Sequence, residues 1–263
     1  ATPSRVYVPT QQRPWVMAHC HDSPGSAHQG AQAVLDRAHP RFFWPGMRKD
    51  IETYVRSCEQ CQKRKGKRRI TQANLQSYVS SYAIPFYRIT TDVLDASHRT
   101  NSKNKYIVVF TDTFTKTALA FPTKDQTAAT IARLLLHKIC LVYGVPEILS
   151  DNGSAYRSQL YTALCQLMGM RRVYTSIYRP QTNGSTERYN RTLCDMLTTI
   201  TMGRSKNWDR YLDYAVWAYN TTPHAVTKES PHYLLYGQEP RLPFDITPIL
   251  RQAFMTQDPA RSF

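Results

Sequence analysis

The sequence predicts a mixed α/β fold, in which three strands come first and later strands alternate with helices. Apolar and polar residues alternate in "YRITTDVLD" and in "TKTALAFP", and the stretch between them, "KYIVVFTDT", is a continuous apolar run. This pattern indicates a meander of three strands. Fourth and fifth strands are predicted in "PEILS" and "RRVYTS", and each follows a helical pattern that ends at a glycine, Gly144 or Gly169. Strands interleaved with helices after an opening meander are typical of a mixed sheet covered by helices.

Two further helices are predicted after the fifth strand, in "GSTERYNRTLCDMLTTI" and "WDRYLDYAVWAYNTT". The aromatic residues of the second helix, among them Trp208 and Trp217, recur at helical spacing, so we expect them in the core or at a subunit interface. These elements place one domain at residues 85–225, followed by a C-terminal helix and tail at 226–263.

The composition points to a polyanionic partner. The chain of 263 residues has 41% hydrophobic residues, enough for a core, and a formal charge of +15 from 34 Lys and Arg against 19 Asp and Glu. Nucleic acid is the first candidate partner, and an anionic membrane surface the second. The sequence has no uninterrupted apolar stretch of about 18 residues, the length that could span a bilayer. Four N-x-Ser/Thr sequons and widely scattered cysteines argue against a secreted chain.

A small helical unit is predicted at residues 15–62, after an N-terminal tail at 1–14. Two histidines with six residues between them and a C-x2-C pair could complete a tetrahedral zinc site in this unit, and these residues are His21, His28, Cys58 and Cys61. A unit of fewer than 50 residues also needs such a staple to fold. The alternatives are a redox or chance C-x2-C pair, and His19 or Cys20 as the donor instead of His21.

A basic linker is predicted at residues 63–84. Its cations are Lys63, Arg64, Lys65, Lys67, Arg68 and Arg69. A dense cationic run fits a contact with the DNA backbone or a nuclear import signal, and it fits a solvated spacer equally well.

Three carboxylates stand out in the core region. Asp92 ends the alternating stretch "RITTD", Asp151 directly follows the fourth strand, and Glu187 lies in the first turns of a later helix. Carboxylates that converge repel one another unless a divalent cation lies between them, and hard oxygen ligands of this kind suit a two-metal phosphoryl-transfer site. Taken singly, two of them have plainer explanations: Asp151 before Asn-Gly is a common turn residue, and Glu187 is a helix-dipole partner.

Here the sequence resembles a known family. The segment from "HDSPGSAHQGAQAVLDRAH" to "SCEQCQKRKG" is similar to the zinc-binding N-terminal domain of gypsy-type LTR retrotransposon integrases. The stretches "PFYRITTDVL", "GVPEILSDNGSAY", "YRPQTNGSTERYNRTLCDML" and "YLLYGQEPRLP" resemble the catalytic core of that family, in order, over about residues 15–245. The resemblance puts zinc ligands on His21, His28, Cys58 and Cys61, and it puts the catalytic, metal-binding triad on Asp92, Asp151 and Glu187.

The resemblance implies a ribonuclease-H-like fold, a five-stranded mixed sheet between helices. It also implies two Mg²⁺ or Mn²⁺ ions per active site, one Zn²⁺ per chain, end trimming by water, strand transfer by the 3′-hydroxyl of element DNA, and a homo-multimer. The chain departs from the family pattern at Asp95-Ala96, where Gly-Pro is usual, and at Thr117, where Trp is usual. Asp95 should point away from the Asp92 face of its strand. Many relatives have a C-terminal β-barrel or chromodomain after the core, which leaves target-site choice open.

Further DNA contacts are predicted around the helix that bears Glu187. The candidates are Tyr178, Arg179, Asn183, Asn190 and Arg191. Asn190 and Arg191 share the Glu187 face of the helix, although an exposed face with a Glu187–Arg191 ion pair explains them equally well. Tyr178 could stack on a base.

The leading interpretation is an active DNA integrase that works in the nucleus, with the virus-like particle as a second candidate location. The alternative is a domesticated host protein that binds DNA or protein without catalysis. A ribonuclease H or another nuclease would leave the zinc unit unexplained.

Overall fold

The computed structural model describes residues 5–64, 83–150, 154–174, 180–201 and 205–242. The helices of the N-terminal unit pack around a small apolar core that contains Val16, Val34, Trp44 and Ile51. The unit consists of strand β1 (Val6–Tyr7), a 3-10 turn (Thr10–Gln12), helices α1 (Arg13–His21) and α2 (Ala31–Ala38), strand β2 (Phe42–Phe43), and helices α3 (Met47–Ser57) and α4 (Glu59–Arg64).

The first residues of the unit differ from the expected tail at 1–14. Strand β1 pairs in parallel with β2, and Val8 is fully buried in the apolar core of the unit. Two-residue strands are too short to show an alternating pattern, so no sequence signal marks them. Residues 5–14 are therefore part of the folded unit, which begins earlier than residue 15.

A five-stranded mixed sheet forms the second unit, as predicted. Its strands are β3 (Arg88–Asp95), β4 (Tyr106–Asp112), β5 (Ala118–Thr123), β6 (Glu147–Ser150) and β7 (Arg172–Tyr174), and their order is β5-β4-β3-β6-β7. The meander β3-β4-β5 is antiparallel, and β6 and β7 add in parallel. Asp92 lies opposite Val109, and Thr91 lies opposite Ser150, the last residue of β6.

Helices cover both faces of the sheet because the central strands are apolar on both faces. Along β4, Val108 and Phe110 join one core cluster, while Ile107 and Val109 join the other. The helices are α5 (Ala128–Leu134), which continues through a π-helical segment (Leu135–Cys140) into α6 (Leu141–Tyr143), then α7 (Ser154–Arg157), α8 (Gln159–Leu167), α9 (Pro180–Thr201), α10 (Trp208–Asn220) and α11 (Pro231–Tyr236). Within the described ranges, none of these helices is long and apolar enough to cross a membrane.

Two helices differ in detail from the prediction. Helix α9 begins at Pro180, four residues before the expected start at Gly184, and this places Glu187 in its third turn. Proline suits the first position of a helix, where its missing N–H costs nothing. In α10, Trp208 is buried, whereas Trp217 is 38% exposed and so lies outside the core, the first of the two places predicted for it; the second, a subunit interface, stays a prediction.

Candidate active site and metal centre

Four side chains converge at one end of the N-terminal unit. His21 is the last residue of α1. His28 lies in the loop that follows α1, and both Ala27 and His28 have positive φ there. Cys58 caps α3, and Cys61 lies in α4. One ligand atom from each residue lies within 4.8 Å of the others. The structure thus brings together the four residues that the sequence selects as zinc ligands.

The distances fit a tetrahedral zinc ion. With Zn–S bonds of about 2.3 Å and Zn–N bonds of about 2.05 Å, bound sulfur and nitrogen atoms lie about 3.6 Å apart. The Cys61 Sγ–His21 Nε2 and Cys58 Sγ–His28 Nδ1 distances are both 3.5 Å. The spare donor considered above, His19, bonds instead to the Trp15 carbonyl through Nδ1 at 3.0 Å. The donor set therefore suits one Zn²⁺.

An acidic neighbour that the sequence did not reveal lies beside this cluster. Asp22 Oδ1 is 3.9 Å from His21 Nε2 and 3.7 Å from His28 Nδ1. The Tyr54 hydroxyl donates a hydrogen bond to the other Asp22 oxygen, and burial raises the pKa of that hydroxyl. Burial lowers the pKa of His28, opposed by Asp22. Burial thus favours the neutral imidazole, which is the form that binds zinc.

Asp92 lies on β3, the central strand of the sheet, and two neighbours fix its carboxylate. Oδ1 accepts a hydrogen bond of 2.8 Å from the Val93 amide, and Oδ2 accepts one of 2.6 Å from Asn190 Nδ2. Asn190 is only 8% exposed and belongs to α9. The α9 helix is therefore attached to the central strand at the residue predicted to be the first catalytic carboxylate.

The other two predicted carboxylates are less fully described. Glu187 lies on α9, three residues before Asn190 and so on the same side of the helix, but its side chain lies outside the described part of the chain. Asp151 lies outside the described residues. The strand before it, β6, ends at Ser150 beside Thr91, the sequence neighbour of Asp92. The triad as a whole stays a prediction.

The two departures from the family pattern have local explanations. The Asp95 side chain, as expected, does not join Asp92; it pairs with Lys105 at 3.1 Å and accepts a hydrogen bond from the Ser97 amide. These contacts lower the pKa of the Asp95 carboxyl, with the Ser97 hydrogen bond as the largest cause. Thr117 is buried, and its hydroxyl lies 3.3 Å from the Pro231 carbonyl.

The predicted DNA contacts are only partly covered. Asn190 is buried against Asp92, which gives it a role in shaping the site that the sequence did not indicate. Arg191 is exposed, as a contact residue must be. Six of the remaining candidates lie outside the described residues: Lys65, Lys67, Arg68, Arg69, Tyr178 and Arg179. The other three lie in described helices, but their side chains lie outside the described part of the chain: Lys63, Arg64 and Asn183.

Comparison with known proteins agrees with this architecture. Residues 8–67 match the integrase zinc binding domain, and residues 83–180 match the integrase core domain. Gypsy retrotransposon integrase-like protein 1 of Homo sapiens is 25% identical over 239 residues, which cover 90% of this chain and 45% of that protein. The Retrovirus-related Pol polyprotein from transposon 412 of Drosophila melanogaster is 27% identical over 230 residues, covering 87% of this chain and 18% of the polyprotein.

The fold also matches a solved structure. A chain of the simian T-cell lymphotropic virus intasome, in complex with PP2A regulatory subunit B56 gamma, aligns with a TM-score of 0.56 and 21% identity over 84% of this chain and 74% of that chain. The chain spans less than half the length of the curated relatives named above. The chain thus has an integrase zinc-binding domain followed by an integrase core domain, and its relatives are gypsy retrotransposon integrase-like proteins and transposon Pol polyproteins.

Proposed function

We propose that the chain is a DNA integrase that trims the 3′ ends of element DNA and joins them to target DNA. The observation that carries this proposal is the hydrogen bond from Asn190 to Asp92. It ties the helix of Glu187 to the strand of Asp92, within a core of the integrase family. A fold alone does not specify a reaction, but a carboxylate held in one orientation on a helix–strand junction is suited to ligate a metal.

The residues that would hold the metal ions are Asp92, Asp151 and Glu187. Two Mg²⁺ or Mn²⁺ ions, when bound, supply activation of the attacking oxygen and stabilisation of the leaving oxygen. In trimming, a water oxygen bonds to phosphorus and the 3′ oxygen leaves as a hydroxyl. In joining, that hydroxyl attacks a target phosphodiester and displaces the 3′ oxygen of the target strand. Each step exchanges one P–O bond for another, so no oxidant or covalent protein intermediate is required.

The chain's own contribution to this reaction is positioning. The Val93 amide and Asn190 each donate to a different oxygen of Asp92, and this fixes the rotation of the carboxylate. A ligand held in this way does not have to be ordered when metal and DNA arrive. The same contacts keep the carboxylate oxygens in one direction, which is the geometry a metal ligand needs.

Zinc in the N-terminal unit has a structural role in this proposal. His21, His28, Cys58 and Cys61 would hold one ion per chain, and binding it contributes folding free energy to a unit with a small core. Metal analysis of the purified protein should find about one Zn per chain, as expected for one closed four-ligand site. A Cys58→Ser variant that keeps both the metal and the helical signal of the unit would contradict the assignment.

DNA is the proposed partner, and a homo-multimer the proposed working form. The formal charge of +15 supports a polyanionic ligand. The structural relative was solved as part of an intasome; for this chain, assembly on two DNA ends and a nuclear location are part of the proposal.

The alternative is a domesticated protein that binds DNA or protein without catalysis. The relatives include both transposon polyproteins and an integrase-like protein of Homo sapiens, so kinship alone does not separate the two. The deciding experiment incubates the purified protein with labelled DNA ends of the element, a plasmid and Mg²⁺. Labelled joined products support the integrase. Tight DNA binding without any joining, by a zinc-loaded protein, supports the domesticated alternative.

A further inference from the structure

The zinc unit docks on the core at the C-terminal end of α10, and a buried arginine makes the contact. Arg37 of α2 is only 5% exposed. One guanidinium nitrogen donates to the Gly25 carbonyl at 3.0 Å and to Ser26 Oγ at 2.7 Å, within its own unit. The other donates across to the core, to the Ala218 carbonyl at 3.4 Å and to the hydroxyls of Thr221 and Thr222 at 3.2 and 3.1 Å.

The acceptors explain why an arginine can be buried here. All five are neutral oxygens, and those of the core lie in and just after the last turn of α10. The carbonyl end of a helix carries a partial negative charge that favours a cation. The planar fork of a guanidinium can reach several acceptors at once, which a lysine cannot. Burial lowers the pKa of Arg37 to about 10, so the group is still charged at neutral pH.

Residues 25–29, around the second histidine ligand, make further contacts with the core. Gln29 Nε2 donates to the Ala218 carbonyl at 2.8 Å, and Gln29 Oε1 accepts from the Thr222 hydroxyl at 2.8 Å. Ala27 is 2% exposed and belongs to the apolar cluster between the sheet and α10. A methyl group added at Gly25 would lie 3.6 Å from the Trp217 ring. Ala27 and Gln29, the two neighbours of the zinc ligand His28, therefore both contact the core.

We propose that the loop at residues 22–28 couples zinc binding to docking, with Arg37 as the anchor of the docked state. The proposal rests on the zinc site of the proposed function and goes beyond it, because it assigns the metal an effect on the core. Ala27 and His28 hold positive φ values of 52° and 50°, which are unfavourable for residues other than glycine. Zinc on His21 and His28 holds the loop in that conformation and thereby presents Ala27 and Gln29 to α10.

Hydrogen exchange measured by mass spectrometry tests this coupling on the core side. The peptide to follow covers the end of α10, where the Thr221 amide donates to the Trp217 carbonyl at 3.0 Å. Removing zinc with a chelator should speed exchange in this peptide by about tenfold or more, because local opening is no longer opposed by the docked unit. Peptides from β3 and β4 should not change. Unaltered exchange at the end of α10, in a protein shown by metal analysis to have lost its zinc, would overturn the proposal.

Variants separate docking from zinc binding. Arg37→Ala should speed exchange at the end of α10 while the zinc content stays the same, whereas Arg56→Ala, an exposed arginine of the same unit, should match the parent. If Arg37→Ala destabilises the zinc unit itself, the Thr221→Val/Thr222→Val pair removes acceptors from the core side only and should give the same exchange with full zinc. Full zinc and unchanged exchange in that pair would contradict the anchor. DNA joining is not a readout here, so failure of the integrase proposal is recorded separately.

Discussion

Asn190 offers the sharpest test of how the active site is built, because it touches the predicted catalytic carboxylate without being a metal ligand itself. We consider Asn190→Leu, which keeps the approximate volume of the side chain and removes its donor. Asp92 Oδ2 then loses a hydrogen bond of 2.6 Å from a side chain that is 8% exposed. The other carboxylate oxygen keeps its bond to the Val93 amide, so the substitution removes one of the two hydrogen bonds described for the Asp92 carboxylate.

The size of the effect follows from the contact. A hydrogen bond to a charged group contributes about 1.5–3 kcal/mol, and water has little access to replace this one. If this energy is fully used to hold Asp92 in its metal-binding orientation, strand joining should slow by about 10- to 150-fold. Stability should change much less, because among the described residues the buried Asn190 Oδ1 has no hydrogen-bond partner and leucine removes this unpaired oxygen as well.

The assay compares initial rates of joining for the parent, Asn190→Leu and a control, with urea unfolding of each. Thr198→Ala is the matched control, since Thr198 is exposed on the same helix and, among the described residues, its hydroxyl donates to the Cys194 carbonyl one turn earlier. Raising the Mg²⁺ concentration should recover part of the lost rate, because a misoriented ligand weakens metal binding. A joining rate within about twofold of the parent, with normal stability, would refute the positioning role.

The remaining predictions concern stability and DNA binding. Glu147→Gln removes the charge of a buried carboxylate 2.9 Å from Arg88 and should lower the free energy of unfolding, measured by urea titration, by about 3 kcal/mol. Replacing Arg171, an exposed residue 4.0 Å from the same carboxylate, should change the free energy of unfolding by less than about 0.5 kcal/mol. Burial, with two nearby cations, lowers the pKa of His224 below 6.5. Well above pH 6.5, His224 is neutral in both the folded and the unfolded chain. As the pH is lowered, His224 becomes protonated in the unfolded chain first, so the free energy of unfolding should fall as the pH is lowered. The fall should be smaller in His224→Gln. DNA affinity should fall steeply with salt, and a plot of log affinity against log salt concentration should have a slope of about −0.9 per phosphate contact. The linker cations to neutralise are Lys63, Arg64, Lys65, Lys67, Arg68 and Arg69. If neutralising them leaves the slope unchanged, the basic run is a spacer or an import signal.

The sheet was predictable because its strands carry their own signal. The alternation of β3 and the continuous apolar run of β4 follow from one or two buried faces, and both strands lie where the sequence places them. The start of α9 was missed because Gly184 in "QTNGST" suggests a turn, while the helix in fact begins at Pro180. The π-helical segment at Leu135–Cys140 leaves no periodic mark that separates it from an α-helix.

The candidate site shows the same division between local and tertiary information. The four zinc donors were selected from residue type and spacing, and the structure brings them together. The face of Asn190 was predicted, since it follows Glu187 by three residues, but its partner was not, because Asp92 is 98 residues away. Asp22 and Arg37 gave no signal at all. An aspartate after a helix and an arginine in an amphipathic helix are ordinary surface residues until tertiary packing defines their surroundings, within the zinc unit for Asp22 and against the core for Arg37.

The central claim is that this chain joins DNA through its three carboxylates, and Glu187→Gln tests it most directly. The change keeps the shape of the side chain and removes one negative charge from the predicted metal site. Joining on a gel should fall by orders of magnitude, because the metal pair loses a ligand charge. Binding of the same DNA in metal-free buffer should hold or rise slightly, because one source of repulsion for phosphate is gone. A Glu187→Gln protein that joins DNA as well as the parent would contradict the account.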